Sequence, residues 1–161
     1  MKKIGFIVLL LLNAIAIGQQ TRPKGTKYAD SRVLFREAMA AGASLVATME
    51  SNDLEVVKID MDLVGAGSSK QTLKRLSEGY TYVISAVGQP SRIIDLDIEV
   101  YYINADGTTT EVKKDLAVDN TPTVSFSPYT SGTYMIVIKA AKMVSGFENA
   151  MGFYFLVVAH N

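Results

Sequence analysis

Apolar positions first recur at helical spacing and then, abruptly, at every second residue. In "DSRVLFREAMAAGASLVATMESND", Phe35, Ala38, Met39, Gly42, Val46 and Met49 fall on one stripe. The pattern predicts an α-helix over residues 30–52, capped by Asp30 or Ser31 and stopped near Asn52. From Leu54 the period is two. "LEVVKIDMDLV" alternates Val57, Ile59, Met61 and Leu63 inward with Lys58, Asp60 and Asp62 outward. "GYTYVISAVG" places Tyr80, Tyr82, Ile84 and Ala86 together, and "IIDLDIEVYYI" does the same with Ile94, Leu96, Ile98, Val100 and Tyr102. "GTYMIVIKAAKM" and "MGFYFLVVA" are nearly continuous apolar runs, as central strands are. Fainter strands are expected at 71–77, 108–118 and 122–127.

Turn chemistry separates the runs: Gly65 to Ser69, Gly88-Gln89-Pro90, Asn104 to Gly107, Asp119 to Pro122, Ser131-Gly132 and Ser145-Gly146. About eight short strands with this punctuation predict a mainly β fold. It is an antiparallel β-sandwich or jelly roll with one N-terminal α-helix. The sandwich is expected over 54–159.

The residues before the helix change the picture of where the protein works. "MKKIGFIVLLLLNAIAIGQQ" has a basic start at Lys2 and Lys3, an apolar run from Ile4 to Leu12, and small residues at Ala16 and Gly18. It reads as a signal peptide over 1–18, cleaved before Gln19, with 19–29 as a flexible lead-in. The apolar run is shorter than the roughly 20 residues that span a bilayer, so no membrane span is expected after leader removal. Loss of the two leader lysines leaves 14 basic against 16 acidic residues, a balance of −2. Such a surface offers nucleic acid no basic footprint. The chain has no cysteine, so stability rests on packing, with a metal as the available supplement, and not on disulfides. An exported, periplasmic or secreted bacterial protein is the expectation.

The second half has a recognisable order. "LSEGYTYVISAVG" leads to "DLDIEVYYINADG", then "VDNTPTVSFSPYTSGTYMIVIKA", then "GFYFLVV". Over roughly residues 71–158 this resembles the bacterial pre-peptidase C-terminal domain family, whose relatives include the collagen-binding domains of collagenases. The resemblance implies a β-sandwich that accompanies secreted hydrolases as an appendage. The pattern leaves no segment in which such an enzyme is expected, and the helix at 31–51 lies outside the family's pattern.

The candidate chemistry is sparse. His160 is the one histidine and stands next to the C-terminus, which disfavours a Ser-His-Asp triad, a His-based zinc site and a histidine base. "GAGSSK" at 65–70 lacks the Gly-Lys-Ser/Thr ending of a phosphate loop and does not open a helix. A Ser68–Lys70 pair and the paired carboxylates of a glycoside hydrolase both lack a recognisable frame.

One pattern stands out. Asp95, Asp97 and Glu99 interrupt an apolar strand at every second position, Asp106 lies at the following turn, and Asp115 and Asp119 flank the strand expected to pair nearby. Hard oxygen ligands converging from a strand and its loops suit calcium, which takes six to eight of them. The candidate ligands are Asp95, Asp97, Asp115 and Asp119, and the resemblance adds that calcium stabilises some related collagen-binding domains. The competing reading is a solvent-facing strand kept soluble by its carboxylates and neutralised by Lys113 and Lys114. Tyr101 and Tyr129 are the candidates for an exposed aromatic ligand surface, whereas Tyr80, Tyr82, Tyr134, Phe153 and Phe155 fit the core pattern.

The expected function is therefore a non-catalytic binding or accessory module for a surface polymer or protein. The alternative is a structural or chaperone-like protein that docks on a partner through the 31–51 helix. A hydrolase is the more distant alternative.

Overall fold

The computed structural model describes residues 31–161, which form one compact unit. The leader and lead-in lie outside the described residues. One helix, α1 (Ser31–Ser51), precedes eight strands: β1 (Glu55–Gly65), β2 (Ser69–Leu76), β3 (Tyr82–Gly88), β4 (Ile93–Ile103), β5 (Thr109–Asp115), β6 (Thr123–Phe126), β7 (Gly132–Met143) and β8 (Met151–His160). They build two four-stranded antiparallel sheets, ordered β1-β8-β3-β6 and β2-β7-β4-β5. The fold is a β-sandwich. No helix among the described residues is long and apolar enough to cross a membrane.

Two cores hold it together. Between the sheets lie Val64, Leu76, Ile84, Leu96, Ile98, Val100, Ile136, Ile138, Leu156 and Val158. The second core lies on the other side of the first sheet, where Val46 and Met49 of α1 meet Phe155, Val157 and Ala159 of β8. The continuous apolar run of β8 follows from this, because alternate residues serve the two cores. The helical stripe is thus buried on the protein's own sheet, with Ala38, Val46 and Met49 each at most 8% exposed. Asp53, at φ 58°, ends the helix in the left-handed region, and Leu54 N–H closes the last turn on the Met49 carbonyl at 3.1 Å.

Four expectations about facing are corrected. A bulge between Val56 and Lys58 reverses the alternation of β1. Lys58, Asp60 and Asp62 consequently pair beside the sandwich-core residues Val158, Leu156 and Tyr154, while Met61 packs on the helix side. The carboxylates are accommodated because β1 is an edge. Asp60 accepts from Thr72 Oγ1 at 3.0 Å, and Asp62 pairs with Lys70 at 3.0 Å. Bulges around Asp95 likewise turn Ile94 outward, leaving it 40% exposed while Ile93 takes the core position. Tyr80 precedes β3 and is 44% exposed, its ring 4.4 Å from that of His160. The fourth correction concerns the acidic strand. Asp95 and Asp97 do not stand in open solvent; they are 9% and 6% exposed.

Candidate functional site

The two outer faces of the sandwich differ. α1 lies across β8, β3 and β1 and so covers the first sheet. No helix or strand among the described residues lies over the second. Its inward residues are known from the core: Tyr134, Ile136 and Ile138 of β7, and Leu96, Ile98 and Val100 of β4. Alternation sends their neighbours outward. The register then sets out the bare face. Leu73, Met135, Tyr101 and Glu111 stand side by side across β2, β7, β4 and β5. The next row holds Gln71, Val137, Glu99 and Lys114, and beyond it Lys139 faces Asp97.

This face has an apolar part and an acidic part. Leu73 is 60% exposed, Met135 and Tyr101 are half-buried, and Val137 is 9% exposed without belonging to either core. The Tyr101 hydroxyl donates to Glu99, and that bond, with burial, pushes the phenol up to about 12. The bond ties the phenol end of the ring to the carboxylate two residues back on the same strand. Tyr129 stands in the loop between β6 and β7 at 96% exposure, and no ring contact among the described residues joins it to Tyr101.

The acidic part is Asp95 and Asp97. Burial raises the Asp97 carboxyl above its ordinary value, and the neighbouring Asp95 charge adds to the effect; Lys139, opposite it in the register, opposes both. Asp95 Oδ1 is closed off from solvent and has no hydrogen-bond partner. Lys142, which pairs with Asp95 in register, is exposed. The ion pairs among the described residues lie elsewhere, at Lys58–Asp60, Lys70–Asp62 and Lys114–Glu111.

The Asp115 charge also raises the Asp97 carboxyl, but both oxygens of Asp115 and one of Asp119 are taken up by backbone N–H groups. Asp115 accepts backbone N–H groups from Ala117 at 3.0 Å and Thr123 at 2.9 Å, and Asp119 accepts one from Thr121 at 2.7 Å. Their carboxylates shape the crossing from β5 to β6, and the Asp119 carbonyl takes the Leu96 N–H at 2.8 Å. Among the described residues, no group of three or more His, Cys, Asp or Glu side chains is arranged to hold a metal ion. Lys114 pairs with Glu99 in register, but its ammonium goes to Glu111 at 3.1 Å.

A pH test follows from the raised Asp97 carboxyl. The folded state binds this proton more tightly than the unfolded chain, whose value is about 3.9. This group's contribution to stability is therefore full below the unfolded-chain value and is lost as pH rises through the folded-state value. Asp97→Asn should stabilise the protein at neutral pH by on the order of 1 kcal/mol, as relief of a partly compensated buried charge does. The gain should vanish below about pH 4. Urea unfolding of both proteins between pH 4 and 8 measures it; a variant less stable at pH 7 would contradict the electrostatic account.

The concavity between α1 and the β3–β6 side of the first sheet is different in kind. It encloses about 720 Å³ over Leu45, Met49, Val83 and Val87, with Ser44, Thr48, Asn120 and Thr123 at its rim, and its lining has no titratable side chain. It supplies no general acid or base.

With this geometry in hand, the likeness to known proteins is one of fold. The pre-peptidase C-terminal domain of a Bacillus anthracis collagenase matches at 14% identity over 63% of this chain and 87% of its own, with a TM-score of 0.47. The Yersinia pseudotuberculosis-derived mitogen matches at 13% identity, over 65% and 85% of the two chains, also at 0.47. A periplasmic inhibitor of g-type lysozyme from Aeromonas hydrophila matches at 10% identity, over 68% and 90%, at 0.47. No protein-family model and no curated protein matches the chain.

The sequence pattern singled out Tyr101 and the aspartates but not Leu73 and Met135, which stand beside them on this face. Met135 sits in a continuous apolar run, where period alone assigns no face. Leu73 lies in "SKQTLKRL", whose inward lysines serve the β1 edge and so hide the alternation.

Proposed function

We propose that this protein is a non-catalytic, exported binding or accessory module working at the cell envelope or outside the cell. It presents the outer face of its second sheet to a surface polymer or protein. The observation that carries this reading is the bare row Leu73–Met135–Tyr101 beside two buried carboxylates, on a fold whose other outer face is already covered. A half-buried tyrosine held by its own hydroxyl loses little freedom on binding, which suits it to anchor a contact. Tyr129, exposed in its loop, is a second candidate contact. The cationic partner expected of Asp95 and Asp97 belongs to the same face.

Co-sedimentation with peptidoglycan, chitin, cellulose and gelatin, together with cross-linking to envelope proteins, tests the reading. A Leu73→Ala/Tyr101→Ala double variant should bind at least tenfold more weakly to whatever the wild type binds, about 1.4 kcal/mol or more. Equal binding by a variant of unchanged stability would remove this face from the function.

A further inference from the structure

Resting on that reading of the bare face, we propose that its partner is a protein that inserts a basic side chain, arginine above all, between Asp95 and Asp97. Two carboxylates more than nine-tenths buried lie two positions apart on β4, and one oxygen of Asp95 has no partner. An orphaned buried acceptor is costly, and a donor that reaches it recovers the cost.

The chemistry distinguishes among cations. A dehydrated metal ion needs several converging ligands, and Asp115 and Asp119 are committed to backbone N–H groups. A guanidinium needs only one or two carboxylates, because its planar fork of donors matches them directly. Lys139 and Lys142 face the pair in register but remain exposed and form none of the described ion pairs, so an arriving group can displace them. Glu99, next along the strand, extends the acidic row.

The face also defines spacing. Tyr101 lies four residues along β4 from Asp97, about 13 Å at strand rise. A partner strand with a basic residue at one end of such a span and an apolar one at the other meets both parts of the face. Polymers of neutral sugar offer no cation for the acidic half, which is why a protein is favoured.

The test uses the folded protein and short extended peptides carrying one arginine and one leucine four residues apart. The controls replace arginine with citrulline, which keeps the shape and loses the charge, and calcium chloride serves as a separate probe. Carbon-13 resonances of the Asp95 and Asp97 carboxyls, and the methyls of Leu73 and Met135, report where each probe binds. The arginine peptide should move both sets of signals and lower the pH at which Asp97 titrates, with at least tenfold weaker binding for the citrulline peptide. Asp95→Asn/Asp97→Asn should abolish that preference while the fold remains intact. Equal binding of the two peptides, carboxyl shifts with calcium alone, or no shift with any probe would overturn the proposal. If the asparagine variant still binds the wild-type target while the Leu73→Ala/Tyr101→Ala variant does not, the binding face stands and its basic partner falls. Loss in neither variant removes both.

Discussion

Gly42→Leu should cost about 3 kcal/mol and lower the melting temperature by roughly 10 °C, given about 3–5 °C per kcal/mol for a domain of this size. Gly42 is where α1 crosses β8, and a Cβ there would run into the Phe155 ring from Cγ to both Cδ atoms. Phe155 is only 7% exposed, between α1 and the sheet, so it cannot swing away without opening the second core. Glycine in a helix interior sacrifices about 1 kcal/mol of propensity, and a leucine would recover this were there room. The clash therefore has to exceed that gain, and the expected loss is net. Gly65→Ala is the control, because its Cβ would meet Ser68 Oγ at 3.5 Å, an ordinary contact. Thermal unfolding of the three proteins gives the answer. A Gly42→Leu protein as stable as wild type would mean that α1 does not rest on β8 in solution, and would return the helix to the role of a partner-docking element.

Gln89→Ala should cost about 2 kcal/mol, most of it from the Phe153 N–H left without its partner. Gln89 is 1% exposed and ties three elements together. Its amide nitrogen donates to Glu37 of α1 at 3.1 Å and to Ser91 Oγ at 3.1 Å, and its oxygen accepts the Phe153 N–H of β8 at 3.2 Å. Burial works against the Glu37 charge, but the hydrogen bonds from Ser91 and Gln89 and the Arg92 charge together outweigh it and hold the carboxyl below its ordinary value. Removing the amide strands the Phe153 N–H and weakens the tie between the helix and the 88–92 turn, which then rests on the Ser91 N–H and Oγ bonds to Glu37. Denaturant unfolding measures the loss. Because Gln89 and Gly42 act on the same helix–sheet interface, the double variant should lose less than the two single losses together. Strict additivity would show that the two contacts fail independently.

These interactions mark the boundary between what could be read in the chain and what could not. The existence and type of the elements were legible. The helical stripe from Phe35 to Met49 and the period of two from Leu54 onward reflect local geometry, and every strand that periodicity suggested, down to short β6, is present. The turn at Asp106-Gly107 was legible for the same reason: Gly107 takes φ 84°, and Asp106 accepts the Thr108 N–H at 2.9 Å. Local chemistry decides such features.

Facing was less legible because a one-residue bulge reverses it. Neither the bulge after Val56 nor those beside Asp95 leaves a sequence signature; the first moved Lys58, Asp60 and Asp62 to the sandwich side of an edge strand, and the others turned apolar Ile94 outward. The acidic strand shows both sides of this. The sequence by itself put Asp95, Asp97 and Tyr101 on one face of one strand. Only the tertiary structure decided that Asp115 and Asp119 turn to backbone N–H groups, that β7 supplies Met135, Val137 and Lys139 alongside, and that α1 covers one sheet and leaves the other bare. The physical reason is that a face is made by strands distant in the chain. Burial of Asp97 comes from its neighbours across the sheet, and no pattern within β4 could state who they are.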